Sequence, residues 1–418
     1  MSFARATIAG AGLAGLSAAV RLVEAGAKVR IADAAAQAGG RCRSYRDPQL
    51  GLVIDNGNHL VLAGNRAVER FRATIGATPP LAGPDHADFA FVDLADVARW
   101  TIRINDGRLP WWLLAKDRRV PGSRLRDYLP LARLLGGAPS DSVGERIDAA
   151  GPVWDRLLEP VLLAVLNTPP EQGSARLTAA VLRESLLRGG RASLPRIAEP
   201  TLAAAFIDPA LAWLAARDAP VTLGKRLRAI ATEGDRVTAL DWGSGPEPVA
   251  ADEVVILAVP PWVASALLPA ISAPDAFHAI VNAHFAIRPP STAPQMLGVI
   301  GGAAQWLFAF PDRISVTVSH ADALVDRDRE ELARLFWGDI RRAYGFDAPL
   351  PPWQIVKEKR ATFSATPEQD AKRPPAATRW RNLFLAGDWT RTGLPATIEG
   401  ALRSGETAAA LAISGRTR

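Results

Sequence analysis

Residues 6–33 read ATIAGAGLAGLSAAVRLVEAGAKVRIAD, and this stretch decides the fold class. A short β-rich run leads into three glycines in the G-x-G-x-x-G spacing, and an Ala/Leu-rich helix and a second strand follow. In such a βαβ unit the first glycine allows the tight turn, the second lets the backbone approach a pyrophosphate, and the third lets the helix pack on the strand. The glycines are Gly10, Gly12 and Gly15. Because the N-terminus of a helix favours anions, the stretch predicts an α/β domain that binds a dinucleotide.

The second strand ends at Asp33. An acidic residue at this place accepts hydrogen bonds from the hydroxyls of the adenosine ribose. A turn-forming residue at a strand end is the alternative interpretation of Asp33, and a glycine-rich turn without a ligand is the alternative for the whole unit. Strand, helix and acidic residue occur together here, so we prefer dinucleotide binding.

Length and composition describe an ordinary folded protein. The chain has 418 residues, of which 48% are apolar and 22% charged. This length exceeds the size at which a single hydrophobic core stops growing, so we expect two domains, or one domain with a large insertion. The net charge of +6 permits an anionic partner without requiring one.

The cysteine count and the start of the chain bear on the compartment. The single cysteine, Cys42, excludes an internal disulfide and fits a reducing compartment, although a disulfide-free periplasmic protein would look the same. The first ten residues already belong to the predicted strand and leave no room for a signal peptide. No apolar run of about twenty residues is present, so we expect no helix that crosses a bilayer. We therefore expect a cytoplasmic protein.

The next stretch, AAAQAGGRCRSYRDPQLGLVIDNGNHL, indicates which dinucleotide is bound. Its turn at Gly39, Gly40 and Arg41 and its motif at Asp55–His59 resemble the FAD-dependent amine oxidase and phytoene desaturase superfamily. The resemblance implies that the cofactor is FAD and that Arg41 lies near its pyrophosphate, where a charge-assisted contact suits an arginine. A surface arginine in a glycine turn is the alternative.

The middle of the chain is predicted to return to the same domain. The run ADEVVILAVPP predicts a buried central strand at Val254–Val259 that ends at two prolines, and a hairpin is predicted at Glu233–Asp235. In the superfamily this segment crosses the adenine end of FAD. The resemblance matches Leu227 to the position whose backbone contacts adenine.

The stretch LFLAGDWTRTGLPATIEGALRSG supplies the third predicted piece of the cofactor domain. Leu383–Ala386 is predicted as a buried strand, and a helix is predicted to begin near Ala396. The resemblance implies that this helix directs its N–H groups at the flavin, where its dipole stabilises the reduced ring. A plain helix cap at Thr397 is the alternative interpretation of that residue.

The cofactor contacts implied by the three pieces are backbone and polar groups of the glycine-rich turns and helix starts. FAD is expected to be bound without a covalent link, because Cys42 lies at the pyrophosphate end. The implied contacts are Gly10, Gly12, Leu13, Ala14, Gly15, Asp33, Gly40, Arg41, Asn56, Gly57, Asn58, Leu227, Gly387, Asp388, Thr397 and Ile398.

Thr397 also bears on the substrate. Amine oxidases of this superfamily generally carry a tyrosine at this place, as half of an aromatic cage, and none of the three tyrosines of this chain lies in the motif. The runs DNGNHLVLAGN, LLAVLNTPPEQGSARL, AQWLFAF, KEKRATFSATPE and GDWTRTGLPATIEGALRSG resemble the hydroxysqualene dehydroxylase family, from Ala6 to about Ala409. Two residues depart from the pattern: Asp33 stands where glutamate is common, and Asn58 where glutamine is expected.

The resemblance implies an FAD-dependent enzyme that reductively removes the allylic hydroxyl of hydroxysqualene to give squalene, in squalene and hopanoid biosynthesis. This reaction needs a hydride from reduced FAD, a proton for the departing water and a pocket that excludes water. His59 is predicted to supply or position the proton, since the pKa of histidine itself lies near neutral pH. A histidine that only shapes the flavin pocket is the alternative.

Other residues have lesser predicted roles in the reaction. Asp388 is the second candidate for the proton source, with shaping of the backbone as its alternative. Trp306 is predicted to wall the substrate pocket through its π face, with packing in a strand core as its alternative. His284 and His320 are placed in strand-like segments and are minor candidates.

The three cofactor pieces and the regions between them give a predicted domain division. The Rossmann-like, doubly wound FAD-binding domain is predicted to receive an inserted α+β substrate domain between its pieces. The FAD-binding domain comprises residues 1–63, 216–271 and 371–418, and the substrate domain comprises residues 64–215 and 272–370.

Residues 108–137 combine two tryptophans and several leucines with interleaved arginines and lysine. The pattern suits peripheral docking on an anionic bilayer, from which a lipid-soluble isoprenoid substrate is collected, and it places the protein at the inner face of the membrane. A basic amphipathic helix pair that covers the substrate pocket is the alternative, and the sequence leaves both open.

The sequence motifs also bear on nucleic acid, metal and the electron donor. No nucleic acid is expected, because no reader motif accompanies the basic residues. No metal is expected, because the scattered histidines show no ligand spacing. A second G-x-G-x-x-G is absent from the sequence, so reduction of FAD is expected from a transient visit of NAD(P)H or from a separate reductase. Transient contact with upstream squalene-pathway enzymes is also expected.

Two other functions stay open on the sequence. One is a phytoene-type or carotenoid-type desaturase, in which oxidised FAD takes a hydride from a polyene precursor. The other is a non-enzymatic protein that binds an isoprenoid on the same fold.

Overall fold

A parallel five-stranded sheet joins distant parts of the chain. The structure, a computed structural model, describes residues 3–78 and 80–415. Three separate parts of the sequence supply the strands of this sheet, which are rich in buried aliphatic side chains, as expected for a sheet covered on both faces. The α/β class with a Rossmann-like domain built from three segments is therefore confirmed. The strand order is Leu383–Leu385, Glu253–Leu257, Arg5–Ala9, Lys28–Ala32 and Val221–Thr222.

Three predicted element boundaries differ from the structure by one or two residues. The strand predicted to end at Val259 ends at Leu257, and the strand predicted to end at Ala386 ends at Leu385. The last helix begins at Ile398, because its cap lies at Thr397 and not near Ala396. These differences leave the order of the elements unchanged.

Two helices cross on the five-stranded sheet. They are Leu13–Glu24, which follows the first strand, and Ile398–Ser414, the last helix of the chain. The hydroxyl of Ser17 donates a buried hydrogen bond of 2.9 Å to the carbonyl of Leu402, so the two helices approach closely. The end of the chain is thereby fixed against its beginning.

A three-stranded antiparallel sheet forms the predicted hairpin region. Its strands are Ala229–Glu233, Arg236–Asp241 and Pro246–Pro248. The turn between the first two strands falls at Gly234 and Asp235, so the hairpin predicted there is confirmed.

A seven-stranded, mostly antiparallel sheet forms the second large layer of the molecule. The helix Arg329–Tyr344 packs on one face, where Phe336 and Ile340 join Val281 and Val316 in one core. The strand order is Trp353–Phe363, Phe277–Phe285, Ile314–Val318, Trp306–Ala309, Met296–Ile300, Ala87–Asp93 and Arg99–Ile104. Two short strand pairs complete the sheets, Ser44–Arg46 with Val53–Asp55 and Leu60–Leu62 with Pro195–Ile197.

Parts of the region predicted as substrate domain pack on the five-stranded sheet. Phe71 of the helix Arg66–Thr74 and Leu214 of the helix Asp208–Ala215 share a core with Leu16. The predicted domain boundaries stay a prediction. The remaining α-helices of the described residues are Val143–Arg146, Glu159–Leu166, Ala175–Glu184, Gly190–Ser193, Pro261–Leu267 and Pro367–Ala371, and two π-helices are Trp154–Leu158 and Ala203–Ile207.

Residues 108–137 form 3-10 turns, so the helix pair considered for this segment is wrong in its secondary structure. Prolines at 110, 121 and 130 interrupt the segment and remove backbone donors that an α-helix needs. The turns are Trp111–Leu114, Lys116–Arg118 and Leu125–Gly136. Among residues 3–78 and 80–415, we find no helix with the length and apolar character needed to cross a bilayer.

Candidate cofactor and active site

The glycine-rich turn leaves room for a phosphate at the start of the first helix. Gly10 has φ +109°, and a Cβ there would lie 2.3 Å from the carbonyl oxygen of Ala258, so the turn itself requires glycine. A Cβ at Gly12 would meet no atom within 4 Å. No side chain caps the helix that begins at Leu13, so its first N–H groups are available to an anion. These residues fit the pyrophosphate of a dinucleotide.

Asp33 fixes the glycine-rich turn by accepting two backbone hydrogen bonds. Its Oδ2 accepts from the N–H of Ala11 at 2.6 Å, and its Oδ1 accepts from the N–H of Ala35 at 2.7 Å. These contacts are the ones that a turn-forming aspartate makes. The predicted role toward a ribose stays a prediction, since a carboxylate oxygen can accept more than one hydrogen bond.

The turn at Gly39, Gly40 and Arg41 lies beside the glycine-rich turn. The N–H of Gly39 donates to the carbonyl of Ala11 at 2.8 Å. The guanidinium of Arg41 donates to the carboxylate of Asp388 at 2.7 Å and to the carbonyl of Ala361 at 2.6 Å. The structure therefore brings two predicted site residues, one from each end of the chain, into one ion pair.

Arg373 fixes the turn that contains Asp388 through hydrogen bonds to the main chain of the turn. The sequence motifs did not indicate a role for this arginine. Its side chain is fully buried and pairs with Asp370 at 2.9 Å. It also donates to the carbonyl of Asp388 at 3.0 Å and to the carbonyl of Thr390 at 2.6 and 3.0 Å. No sequence motif marks this arginine, because all its hydrogen-bond partners except Asp370 lie in the turn that follows the strand Leu383–Leu385.

The last helix begins at Ile398, a short distance along the chain from the turn at Gly387 and Asp388. Thr397 caps it, since its hydroxyl accepts from the N–H of Gly400 at 3.0 Å, and Ile398 follows as a buried first residue. Gly387 donates its N–H to the hydroxyl of Ser404 at 2.8 Å, which fixes the turn to the helix. The helix cap is thus observed, and the predicted contact of Thr397 and Ile398 with a flavin stays a prediction.

The Asn56–His59 segment reaches the seven-stranded sheet through a buried amide network. The amide of Asn58 donates to the hydroxyl of Thr317 at 3.0 Å, and that hydroxyl donates to Oδ1 of Asn282 at 2.8 Å. The Oδ1 of Asn58 is buried without a partner in the described part of the chain. A buried amide oxygen of this kind suits a ligand that donates a hydrogen bond, and the ring N–H of a flavin is such a donor.

His59 lies close enough to Arg41 and Asp388 for both charges to act on its ring. Burial, with the nearby positive charge of Arg41, lowers the pKa of His59 to about 4. The imidazole is therefore neutral at pH 7, which favours the positioning role of His59 over that of the acid, and both roles stay predictions. A neutral imidazole still donates a hydrogen bond, which fits the positioning role.

Cys42 and His284 have the properties of structural residues. Burial raises the pKa of the Cys42 thiol to about 12, so a reactive thiolate is not present at neutral pH. The ring of His284, in the strand Phe277–Phe285, contacts the hydroxyl of Ser315 at 2.8 Å and the carbonyl of Asp55 at 3.1 Å. Burial lowers the pKa of His284 to about 3, so this histidine is a neutral core residue.

Trp306 lies in an aromatic cluster under residues 108–137. Its ring packs edge to face on Phe91 with 5.6 Å between centroids, and Trp112 and Tyr128 of that segment belong to the same cluster. The packing alternative for Trp306 is therefore observed. Its indole N–H and that of Trp112 are buried without an acceptor among the described residues, which leaves two inward-facing donors in an apolar setting.

Two further predicted residues are located as follows. Leu227 is buried just ahead of the strand Ala229–Glu233, and its contact with adenine stays a prediction. His320 lies outside a strand: it follows the strand Ile314–Val318 and has a left-handed backbone with φ 47°. The structure brings it next to His278 and Asp322, which the sequence spacing did not indicate.

Comparison with known proteins adds to this geometry. The family described as flavin containing amine oxidoreductase matches residues 13–413. A hydroxysqualene dehydroxylase of Rhodopseudomonas palustris is 53% identical over 97% of this chain and 98% of its own length, and one of Sinorhizobium fredii is 51% identical over the same shares. The crystal structure of a putative protoporphyrinogen oxidase from Exiguobacterium superposes with a TM-score of 0.70 at 18% identity, covering 99% of both chains. The last of these likenesses concerns the fold alone.

Proposed function

We propose that this chain, which belongs to the flavin-containing amine oxidoreductases and among them to the hydroxysqualene dehydroxylase family, reductively removes the allylic hydroxyl of hydroxysqualene to give squalene. The observation that carries the proposal is the full-length likeness to two proteins of that name. Thr397, in place of the tyrosine expected in an amine oxidase, agrees with it. The same likeness favours this function over a desaturase and over a protein without activity.

FAD is the cofactor that the family implies, and the residues of the site fit it. In its reduced form FAD supplies the hydride that replaces the hydroxyl. The turn at Gly12 and the start of the first helix would hold its pyrophosphate, since Gly12 leaves space beside the turn and no side chain caps this helix. The buried oxygen of Asn58 and the start of the last helix at Thr397 would hold the ring.

The loss of the hydroxyl as water needs one proton in addition to the hydride. His59, whose ring is neutral at pH 7, would donate a hydrogen bond to the departing oxygen and orient it, and the proton itself would be taken from solvent water, because a neutral imidazole does not release its N–H proton. Asp388 is engaged by Arg41 through its side chain and by Arg373 through its main-chain oxygen. These contacts favour a positioning role for Asp388, which fixes Arg41 next to His59.

The substrate is an isoprenoid that dissolves in lipid, and residues 108–137 are suited to collect it. Four apolar side chains of this segment are at least 61% exposed, and Arg108, Lys116, Arg118, Arg124 and Arg126 are interleaved with them. Each basic residue near an anionic leaflet contributes about 1 kcal/mol of attraction. The four apolar side chains are Leu109, Trp111, Leu114 and Leu129.

In this proposal residues 108–137 both dock on the membrane and cover the substrate pocket. Trp112 and Tyr128 face inward and cover the aromatic cluster of Trp306, while Trp111 and Leu129 face outward. The segment thus lies between a bilayer and the protein interior. We therefore place the protein at the inner face of the membrane. FAD is reduced there by NAD(P)H or by a separate reductase. The protein makes transient contact with the enzymes that supply hydroxysqualene.

The proposal is tested by a single-turnover experiment without oxygen. FAD-loaded protein is reduced with dithionite and mixed with hydroxysqualene, and squalene is measured against reoxidation of the flavin. We expect one squalene for each flavin reoxidised. Reoxidation without squalene would count against the function. A parallel reaction of the oxidised protein with phytoene tests the desaturase, which would reduce the flavin and give a longer conjugated chain.

A further inference from the structure

Three side chains with metal-binding atoms meet away from the cofactor motifs of the sequence. Nδ1 of His278 lies 2.6 Å from Oδ2 of Asp322. Nδ1 of His320 lies 3.2 Å from the same oxygen and 3.2 Å from Nδ1 of His278. His278 belongs to the strand Phe277–Phe285, and the other two lie in and before the turn Ala321–Ala323. The three atoms therefore surround one point.

The separations of these atoms are close to those of a coordination shell. Zinc–nitrogen bonds of about 2.0–2.1 Å hold tetrahedral ligand atoms roughly 3.3 Å apart. Two of the three observed separations are near this value. The third, between Nδ1 of His278 and Oδ2 of Asp322, is shorter and has to lengthen when an ion binds. The Asp322 side chain is 44% exposed, so a small shift of this carboxylate would make room for the ion.

Each of the three residues makes a further hydrogen bond that fixes its position. Nε2 of His278 contacts the hydroxyl of Ser364 at 3.1 Å, which leaves Nδ1 facing the other two groups. Oδ1 of Asp322 accepts from the N–H of Ala279 at 3.0 Å, which leaves Oδ2 facing the two imidazole nitrogens. The backbone N–H of His320 donates to Oδ1 of Asn167 at 2.6 Å, which fixes the main chain of this residue. Support of this kind orients metal ligands in proteins.

The backbone of His320 also fits a ligand. Its φ of 47° is in the left-handed region, which is uncommon for a residue other than glycine, and its ring packs edge to face on that of His278 with 4.5 Å between centroids. Partial exposure of the three residues leaves the point accessible from solvent.

We propose that His278, His320 and Asp322 form a binding site for a divalent transition-metal ion of the zinc class, with water completing its coordination. Imidazole nitrogen is a good ligand for such ions, whereas Mg²⁺ and Ca²⁺ prefer sets of oxygen ligands. The ion joins the strand Phe277–Phe285 to the turn Ala321–Ala323. Its role is therefore to brace one end of the seven-stranded sheet.

The test is a calorimetric titration of Zn²⁺ into tag-free, FAD-loaded protein, with Mg²⁺ as the comparison ion. We expect saturable binding of one Zn²⁺ per chain and no comparable binding of Mg²⁺. The variant His320→Asn removes the ring but keeps a residue that tolerates the left-handed backbone. Zn²⁺ affinity should fall by at least about 100-fold, since loss of a supporting residue alone costs 10–100-fold. The matched control is His86→Asn, at an exposed histidine, which should leave the affinity unchanged.

Asp322→Asn provides a second variant that keeps the shape of the side chain and should weaken Zn²⁺ binding as well. Flavin absorbance and the metal-free unfolding temperature establish that each variant is folded. Failure of the unaltered protein to bind Zn²⁺ would overturn the proposal. So would equal affinity in His320→Asn, or an equal loss in His86→Asn, because binding would then occur elsewhere.

Discussion

Replacing Gly12 by alanine tests whether glycine is required at this position by a bound ligand or by the fold itself. A Cβ at Gly12 would meet no protein atom within 4 Å, and its φ of −74° and ψ of 177° are open to any residue. A Cβ at Gly10 would lie 2.3 Å from a carbonyl oxygen, at φ +109°. We expect Gly12→Ala to change the stability of the FAD-free protein by less than about 0.5 kcal/mol and Gly10→Ala to lower it by more than about 1 kcal/mol.

The same substitution should weaken FAD binding. The methyl group of Gly12→Ala enters the space through which the pyrophosphate approaches the N–H groups that start at Leu13. Loss of one hydrogen bond to a charged group costs about 1.5–3 kcal/mol, and about 1.4 kcal/mol corresponds to a factor of ten. We therefore expect the dissociation constant for FAD to rise at least about tenfold.

Two measurements check this expectation on the same preparation. Urea unfolding of the FAD-free protein, followed by tryptophan fluorescence, reports stability, and quenching of flavin fluorescence reports the affinity for FAD. Gly10→Ala is the matched control for a structural glycine. Unchanged FAD affinity in Gly12→Ala would refute the assignment of the phosphate to this turn, and a loss of stability equal to that of Gly10→Ala would make Gly12 a structural glycine instead.

Three further predictions concern buried charge, pH and membrane binding. Arg373→Met removes one of the two arginine partners of the buried Asp370, since Arg176 also pairs with it, and takes the donor from the carbonyls of Asp388 and Thr390. We expect about 1–3 kcal/mol of lost stability and weaker retention of FAD, measured by urea unfolding and flavin release; a loss below about 0.5 kcal/mol would contradict the reasoning. Burial lowers the pKa of His284 from 6.5 to about 3, so as pH falls the unfolded chain binds a proton at this residue before the folded chain does. We therefore expect the free energy of unfolding to decrease between pH 6.5 and 3. An equal decrease over this pH range in His284→Gln would show that another group is responsible. Trp111→Ser should reduce cosedimentation of the protein with anionic vesicles. The control is Trp262→Ser, which changes a tryptophan outside residues 108–137 that is 36% exposed, and it should leave cosedimentation unchanged. An equal reduction in both variants would contradict docking through residues 108–137.

The sequence by itself determined the parts of the protein whose geometry is local. The spacing of Gly10, Gly12 and Gly15 specifies a turn between a strand and a helix, because backbone conformation depends on residues a few positions apart. The apolar run at Glu253–Leu257 and the turn at Gly387 predicted their elements within two residues for the same reason. The fold class and the binding of a dinucleotide followed from these patterns.

Only the tertiary structure decided which side chains meet and how they are charged. Arg41 and Asp388 are 347 positions apart and form one ion pair, and no spacing rule connects them. Burial lowers the pKa of His59 well below the value of free histidine, which changed the role assigned to it. His278 and His320 meet because the strand Phe277–Phe285 begins beside the end of its antiparallel partner Ile314–Val318. Contacts and desolvation depend on how distant segments pack, and a local pattern carries no information about either.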